Sequence, residues 1–338
     1  MRSDTLTMPS PEMRRVMAEA PVGDDVFGED PTVNRLQERA AELMGKEAGL
    51  FVASGTMANL LAVLAHARPG NEIIADSDSH LFLSEGAGAA ALGGIQIRPL
   101  TTELGIISAE QLENAVRPLD DVHQPTTAAV SIENTHNRQG GVAWPLADLR
   151  QLQEAAARHQ VVVHMDGARI FNAAAALVVE ARVLADCADT VTFCVSKGLG
   201  APVGSVLCGP QPFIDSARRW RKALGGGWRE AGQLAAAGLH SLDNGIARLA
   251  EDHANARTLA EGLAEIDGIE LDLSRVQTNI VVFNVRPMPT ADFLERCSRE
   301  GVLGGGGGHR VRFVTHNGVD AAGVQQTLRV VSEVLAGS

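Results

Sequence analysis

Thr190-Val191-Thr192-Phe193-Cys194-Val195-Ser196-Lys197-Gly198-Leu199-Gly200 is the stretch on which the reading of the whole chain turns. Its first six residues are β-branched or apolar without a charge, as a strand buried on both faces requires. A lysine follows, then a glycine-rich turn. In an open parallel sheet the carboxyl ends of the strands border the ligand crevice. Lys197 would enter that crevice, where a desolvated amine forms Schiff bases with carbonyl compounds. A surface lysine at a strand end fits this segment equally well.

A second strand end bears on that choice. Val161-Val162-Val163-His164-Met165 runs into Asp166-Gly167-Ala168-Arg169, 31 residues before Lys197. That interval holds one helix and one strand, so Asp166 and Lys197 would leave neighbouring parallel strands at the same edge. A carboxylate facing a pyridine nitrogen keeps it protonated, so the pair suits pyridoxal phosphate. An aspartate capping the next helix is the plain alternative. Ser54-Gly55-Thr56 follows another strand and opens a helix, where backbone N–H groups seat phosphate, although it also reads as an ordinary helix cap. Gly198-Leu199-Gly200-Ala201-Pro202-Val203-Gly204 has one residue too many for the dinucleotide fingerprint, and no P-loop, GxSxG or HExxH pattern occurs.

Short apolar runs alternate with helical patterns through most of the chain, at 49–53, 72–76, 95–100, 127–133, 161–166, 190–196 and 203–208. This order predicts an α/β fold with a mostly parallel sheet. Val33, Leu36, Ala40 and Leu43 share a helical face after Pro31 with Gly45 as the stop, and Ser108 with Gln111 is a capping box. A long helical tract, 230–266, broken at Asn244-Gly245, precedes strands at 278–285 and 311–315 and helices at 291–300 and 321–336. Residues 1–239 are therefore read as an arm plus a large domain and residues 240–338 as a small α+β domain. Gly304 to Gly308 reads as a flexible loop.

The 338 residues carry a net charge of −12, with 45% hydrophobic and 21% charged residues. That composition excludes a wholly disordered or fibrous chain and argues against nucleic acid or an anionic membrane as partner. No apolar run reaches the ~18 residues of a membrane span, and the start lacks a signal-peptide core, so a cytoplasmic location is expected. Cys187, Cys194, Cys208 and Cys297 show no metal-ligand spacing, and no metal site is expected.

With these segments in view, the chain resembles the threonine aldolases of the L-specific type, in the aspartate-aminotransferase-like (type I) fold of pyridoxal phosphate enzymes. The matching segments are Arg2-Ser3-Asp4-Thr5, Gly23 to Thr32, Ser54-Gly55-Thr56, Glu133-Asn134-Thr135-His136-Asn137, Asp166 to Asn172, Ser196 to Gly200 and Val311 to His316. They cover essentially the whole chain in order. The resemblance implies a seven-stranded large domain and pyridoxal 5′-phosphate held covalently by Lys197. Asp166 falls to the pyridine nitrogen, Gly55 and Thr56 to the phosphate, and Arg169 to the ring oxygen and the substrate carboxylate. Ser3 and Arg312 join Arg169 on that carboxylate. His80 matches a histidine that stacks on the cofactor ring, and His136 a second active-site histidine. Lys222 and Arg229 match basic residues that reach the phosphate across a dimer interface, which implies a homo-oligomer, a catalytic dimer often paired into a tetramer.

Two departures stand out. Phe27 replaces a frequent tyrosine in a chain with no tyrosine at all, and Ser77 to Glu85 around His80 matches loosely, which leaves the aldehyde pocket open. The implied reaction is retro-aldol cleavage of L-threonine or L-allo-threonine to glycine and acetaldehyde. β-Elimination on the same fold and a non-catalytic nucleotide-binding role are the alternatives.

Overall fold

The computed structural model describes residues 1–337. Seven strands form the larger sheet: β1 (Ala48–Val52), β2 (Glu72–Asp76), β3 (Gln96–Leu100), β4 (Thr127–Glu133), β5 (Val162–Asp166), β6 (Thr190–Cys194) and β7 (Ser205–Gly209). Their order is β1-β7-β6-β5-β4-β2-β3, with β7 alone antiparallel to its neighbours. Every residue of β2, β6 and β7 is buried, because helices cover both faces of the sheet. The α/β expectation holds, and each predicted strand of this sheet forms within about two residues of its predicted bounds.

Helix Pro31–Met44 shows how local sequence and packing agree. The Asp30 carboxylate accepts from the Thr32 and Val33 amides, Pro31 occupies the first turn, and Gly45 ends the helix in the left-handed region. Val33, Leu36, Ala40 and Met44 are all fully buried on one face. Each of the larger ones contributes about 1.5–3 kcal/mol of transfer free energy. The predicted capping box at Ser108 and Gln111 forms on helix Ala109–Ala115.

The long helical tract divides where expected, into helices Gly232–Asn244 and Leu249–Ala264. The core changes along the second: Leu249 packs with the large-sheet core, whereas Ala256, Leu259 and Leu263 pack beneath a smaller antiparallel sheet. That sheet has strands β8 (Ile269–Glu270), β9 (Ile280–Val285), β10 (Gly305–Gly307) and β11 (Arg310–Val314), in the order β10-β11-β9-β8. Its core contains the edge-to-face pairs Phe283–Phe313 and Phe283–Phe293, with ring centroids 5.2 and 6.1 Å apart. Gly305 to Gly307 corrects the loop expectation. The segment pairs with Arg310 to Arg312, because the exposed edge of β11 offers backbone donors and acceptors that outweigh glycine's poor strand propensity.

The first seven residues form an arm across both sheets. The Val314 amide donates to the Met1 carbonyl at 2.7 Å, and the Thr7 hydroxyl lies 3.2 Å from His316 Nδ1. All four cysteines are buried and unpaired, and among the described residues no helix is long and apolar enough to cross a membrane.

Candidate active site

Three parallel strands end in carboxylates at one edge of the large sheet: β2 in Asp76, β4 in Glu133 and β5 in Asp166. Glu133 and Asp166 are register partners. Glu133 fixes backbone, taking the His80 amide at 2.6 Å and the Asn137 amide at 2.9 Å. Asp166 accepts from Ala168 N at 3.0 Å and from Asn59 Nδ2 at 2.8 Å. Asn59 Nδ2 also donates to Glu85, and its Oδ1 lies 3.4 Å from His164 Nε2. Burial pushes His164 down to about 3, so that ring is neutral.

His80 sits half-buried above this group with Nδ1 2.8 Å from Glu85 Oε1. The Glu85 carboxylate accepts a hydrogen bond from Nδ1–H, which leaves Nε2 as the free basic nitrogen. The hydrogen bond to Glu85 raises the His80 pKa against the opposing effect of burial, and burial raises that of Glu85. His80, Glu85 and Asp166 carry ligand-type atoms within 4.8 Å of one another, and the hydrogen bonds from Asn59 and His80 account for that closeness.

Arg169 and Arg312 are brought together, although 143 residues separate them. Both donate to Asn137 Oδ1, at 3.3 and 2.8 Å. Arg169 is held from behind by a two-pronged pair with Asp4, Nε to Oδ2 at 2.7 Å and Nη2 to Oδ1 at 2.8 Å. Burial would raise the Asp4 pKa, but the Arg169 guanidinium holds it far below the usual carboxylate range. Burial and the neighbouring Arg169 charge lower the Arg312 pKa. Ser3 Oγ is engaged by the Thr5 amide and hydroxyl, capping the turn that presents Asp4.

Lys197 follows β6 and is half-buried, and its side chain forms no hydrogen bond or ion pair among the described residues; Asp4 is within electrostatic reach. Gly55 and Thr56 open helix Gly55–His66, and a side chain at Gly55 would meet Cys194 Sγ at 3.0 Å, so glycine lets the helix start approach the end of β6. Helix Gln211–Ala223 packs on the same helix through Ile214 and Ala217. It carries Arg221, buried between Asp25 and the Phe51 carbonyl, and Lys222, exposed beside a cavity of about 420 Å³. Arg229 is exposed and pairs with Asp24 at 2.7 Å.

His136, expected at the active site, lies beneath the end of β2. It is fully buried with Nε2 3.0 Å from Asp76, and its Nδ1 has no partner among the described residues. Burial would lower its pKa, but the Asp76 carboxylate raises it. Gly105 covers the ring at φ +78°, where an added Cβ would fall 2.1 Å from His136 Cδ2. Gly105→Ala is therefore expected to cost about 2–4 kcal/mol through overpacking and a left-handed backbone, read as a lower denaturant midpoint at unchanged slope. An unchanged midpoint would show that this layer is loosely packed.

Asp4, Asn59, Glu85 and Glu133 complete the site although sequence reading gave them no role. Asp4 and Glu133 lay within motifs already noted, Arg2 to Thr5 and Glu133 to Asn137, and Glu85 closes the segment after His80. The residues fit pyridoxal phosphate on one observation above all. Asp166 is 5% exposed and bonds only to neutral donors among the described residues, a buried anion lacking the cation that a protonated pyridine supplies.

The profile of the β-eliminating lyase family matches residues 1–286. The low specificity L-threonine aldolase of Escherichia coli (strain K12) is 44% identical over 317 residues, 94% of this chain and 93% of that protein. An uncharacterized protein of Caenorhabditis elegans is 52% identical over 261 residues, 77% of this chain, and the match spans 63% of that protein. Among solved structures, a threonine aldolase from Leishmania major has the same fold, with a TM-score of 0.81 at 20% identity over 99% of this chain and 98% of that one.

Proposed function

The chain belongs to the β-eliminating lyase family, and from that premise we propose that it cleaves L-threonine, L-allo-threonine and related β-hydroxy-α-amino acids reversibly to glycine and an aldehyde such as acetaldehyde. The observation that carries this reading is the likeness to a low specificity L-threonine aldolase along nearly the whole chain, 44% identical. The cofactor is pyridoxal 5′-phosphate, which when bound draws the electrons of a breaking Cα–Cβ bond into its protonated ring.

Lys197 Nζ would hold the cofactor covalently, Asp166 would serve its ring nitrogen, and the free amides at Gly55 and Thr56 would hold its phosphate. Lys222 and Arg229 complete the phosphate site of a partner subunit in a dimer, itself half of a tetramer. Phe27 and Met8, each 72% exposed, are apolar surface for that contact. Arg312 and Arg169, joined by Asn137, clamp the substrate carboxylate, with Ser3 at the edge of the clamp. That clamp would fix the orientation of the substrate's Cα and so which of its bonds is poised to break. His80 Nε2 takes the β-hydroxyl proton as the carbonyl forms, and Cα takes a proton in return. His136 serves as a positioning residue for Asp76. The unpaired buried cysteines support a reducing, cytoplasmic setting.

Incubation of cofactor-loaded protein with L-threonine, L-allo-threonine and L-serine tests the reaction. Equal glycine and acetaldehyde from the threonines is the expected result; a 2-oxo acid without glycine, 2-oxobutanoate from the threonines and pyruvate from serine, means β-elimination and overturns it. Glu85→Gln tests the base. Removing the carboxylate lowers the His80 pKa, so the acid limb of kcat/KM moves to lower pH. An acid limb that stays in place would remove His80 from the role.

A further inference from the structure

A cavity of about 480 Å³ opens beside His80 and Arg312. A substrate as small as threonine brings only a methyl group beyond its β carbon. Yet Val282 is the one lining side chain built of carbon and hydrogen alone. Ser84 and the glycines of β10 leave room for a longer substituent, and Arg138 and Arg310 give the room its charge.

Arg310 Nη2 donates to the Arg138 carbonyl at 3.0 Å, which ties the residue after Asn137 to the start of β11. The Arg138 guanidinium has no partner among the described residues, and its charge is close enough to lower the Arg312 pKa, after the larger effects of burial and Arg169. Asp78 is the one carboxylate in the lining and is engaged by Gln139 Nε2 at 2.9 Å. Once a substrate α-carboxylate answers Arg312, two guanidiniums face one carboxylate. A positive charge is left over on the side where the aldehyde portion of the substrate lies.

We propose that Arg138 and Arg310 form a second anion subsite, and that the substrates this chain prefers are β-hydroxy-α-amino acids whose side chain carries a carboxylate or a phosphate. The proposal rests on the aldolase reading and specifies its substrate class. The chemistry balances without a further reagent: the Cα–Cβ bond breaks, its electron pair stays with Cα, which gains a proton, and the β-hydroxyl loses its proton as C=O forms. With 3-hydroxyaspartate the products are glycine and glyoxylate; with 4-phosphooxythreonine they are glycine and a phosphorylated two-carbon aldehyde.

The test begins with binding. L-Aspartate and L-alanine lack a β-hydroxyl and undergo no aldol cleavage, so calorimetry on the cofactor-loaded protein measures the subsite alone. Aspartate is expected to bind about tenfold tighter, the worth of one charge-assisted hydrogen bond. Arg138→Ala and Arg310→Ala should narrow that ratio, and the double variant should bring it within about twofold while alanine binding holds. In cleavage, kcat/KM for 3-hydroxyaspartate or 4-phosphooxythreonine should fall about tenfold in the double variant with threonine unchanged. Whichever of the two substrates responds identifies the anion. Aspartate binding no tighter than alanine, or a ratio untouched in the double variant, overturns the subsite even where threonine is cleaved. Tight aspartate binding lost with the arginines, beside no glycine from threonine, would defeat the aldolase reading while keeping the anion site.

Discussion

Lys197→Ala is expected to lower glycine formation from L-threonine on the order of 10⁴-fold or more, the scale on which removal of a covalent catalytic group acts. The lysine side chain has no hydrogen-bond or ion-pair partner among the described residues. Its removal costs little stability, since a half-buried ammonium without a partner contributes no hydrogen bond. Activity and folding should therefore separate, with the melting temperature nearly unchanged while turnover disappears. Borohydride reduction of the cofactor-loaded protein followed by peptide mass analysis gives the direct readout. The unaltered protein should carry the cofactor on the peptide containing Lys197, and the variant should carry none. Turnover within tenfold of the unaltered protein would sink the assignment.

Asp4→Asn is the second large effect, and it falls on stability as well as on binding. Asp4 is fully buried, Arg169 is 6% exposed, and Arg169 donates two hydrogen bonds to the Asp4 carboxylate. Removing the acid leaves a buried guanidinium without its counter-ion, a change worth about 3–5 kcal/mol. The pH dependence follows from the direction of the shift. The folded pKa of Asp4 lies far below its unfolded value near 3.9, so the pair's stabilisation is complete above about pH 5 and is lost as pH falls through the folded value. The difference in unfolding free energy between the unaltered protein and the variant should thus be flat through neutral pH and shrink in acid. A companion variant, Asp4→Asn with Arg169→Met, should lose less than Asp4→Asn alone, because no charge is left buried. A melting temperature for Asp4→Asn within a degree of the unaltered protein would show that Arg169 finds other partners. KM for threonine should rise with either variant, since Arg169 loses the group that aims it in the first and is itself removed in the second.

The strands were legible because each buries both faces and reads as an unbroken apolar run, and the helix ends because caps act within three residues. Asp166 and Lys197 were legible for a related reason: a polar residue that ends such a run has few places to point. Asp4 was not, since its meaning depends on an arginine 165 positions away, and nothing local distinguishes it from an exposed acid at a chain start. Asn59 and Glu85 were hidden in the same way, one on a helix face and one after a short turn, joined only when helix Gly55–His66 lies against β5. The surroundings of His136 were hidden in another way. Its motif is visible, but full burial against Asp76 depends on Gly105 closing over it from another segment. The glycine run 304–308 misled because propensity says nothing about a partner edge waiting to be paired.

The arm that ties residues 1–7 to residues 314–316 gives the molecule an order of birth. Residues 1–7 are made long before their partners on β11 and at His316. At 5–20 residues per second the arm waits unengaged for roughly 15–60 s. Meanwhile the strands bearing Asp166 and Lys197 are already made, whereas Arg312 is not. The two walls of the cleft are therefore made at different times, and the arm can join them only after β11 has emerged.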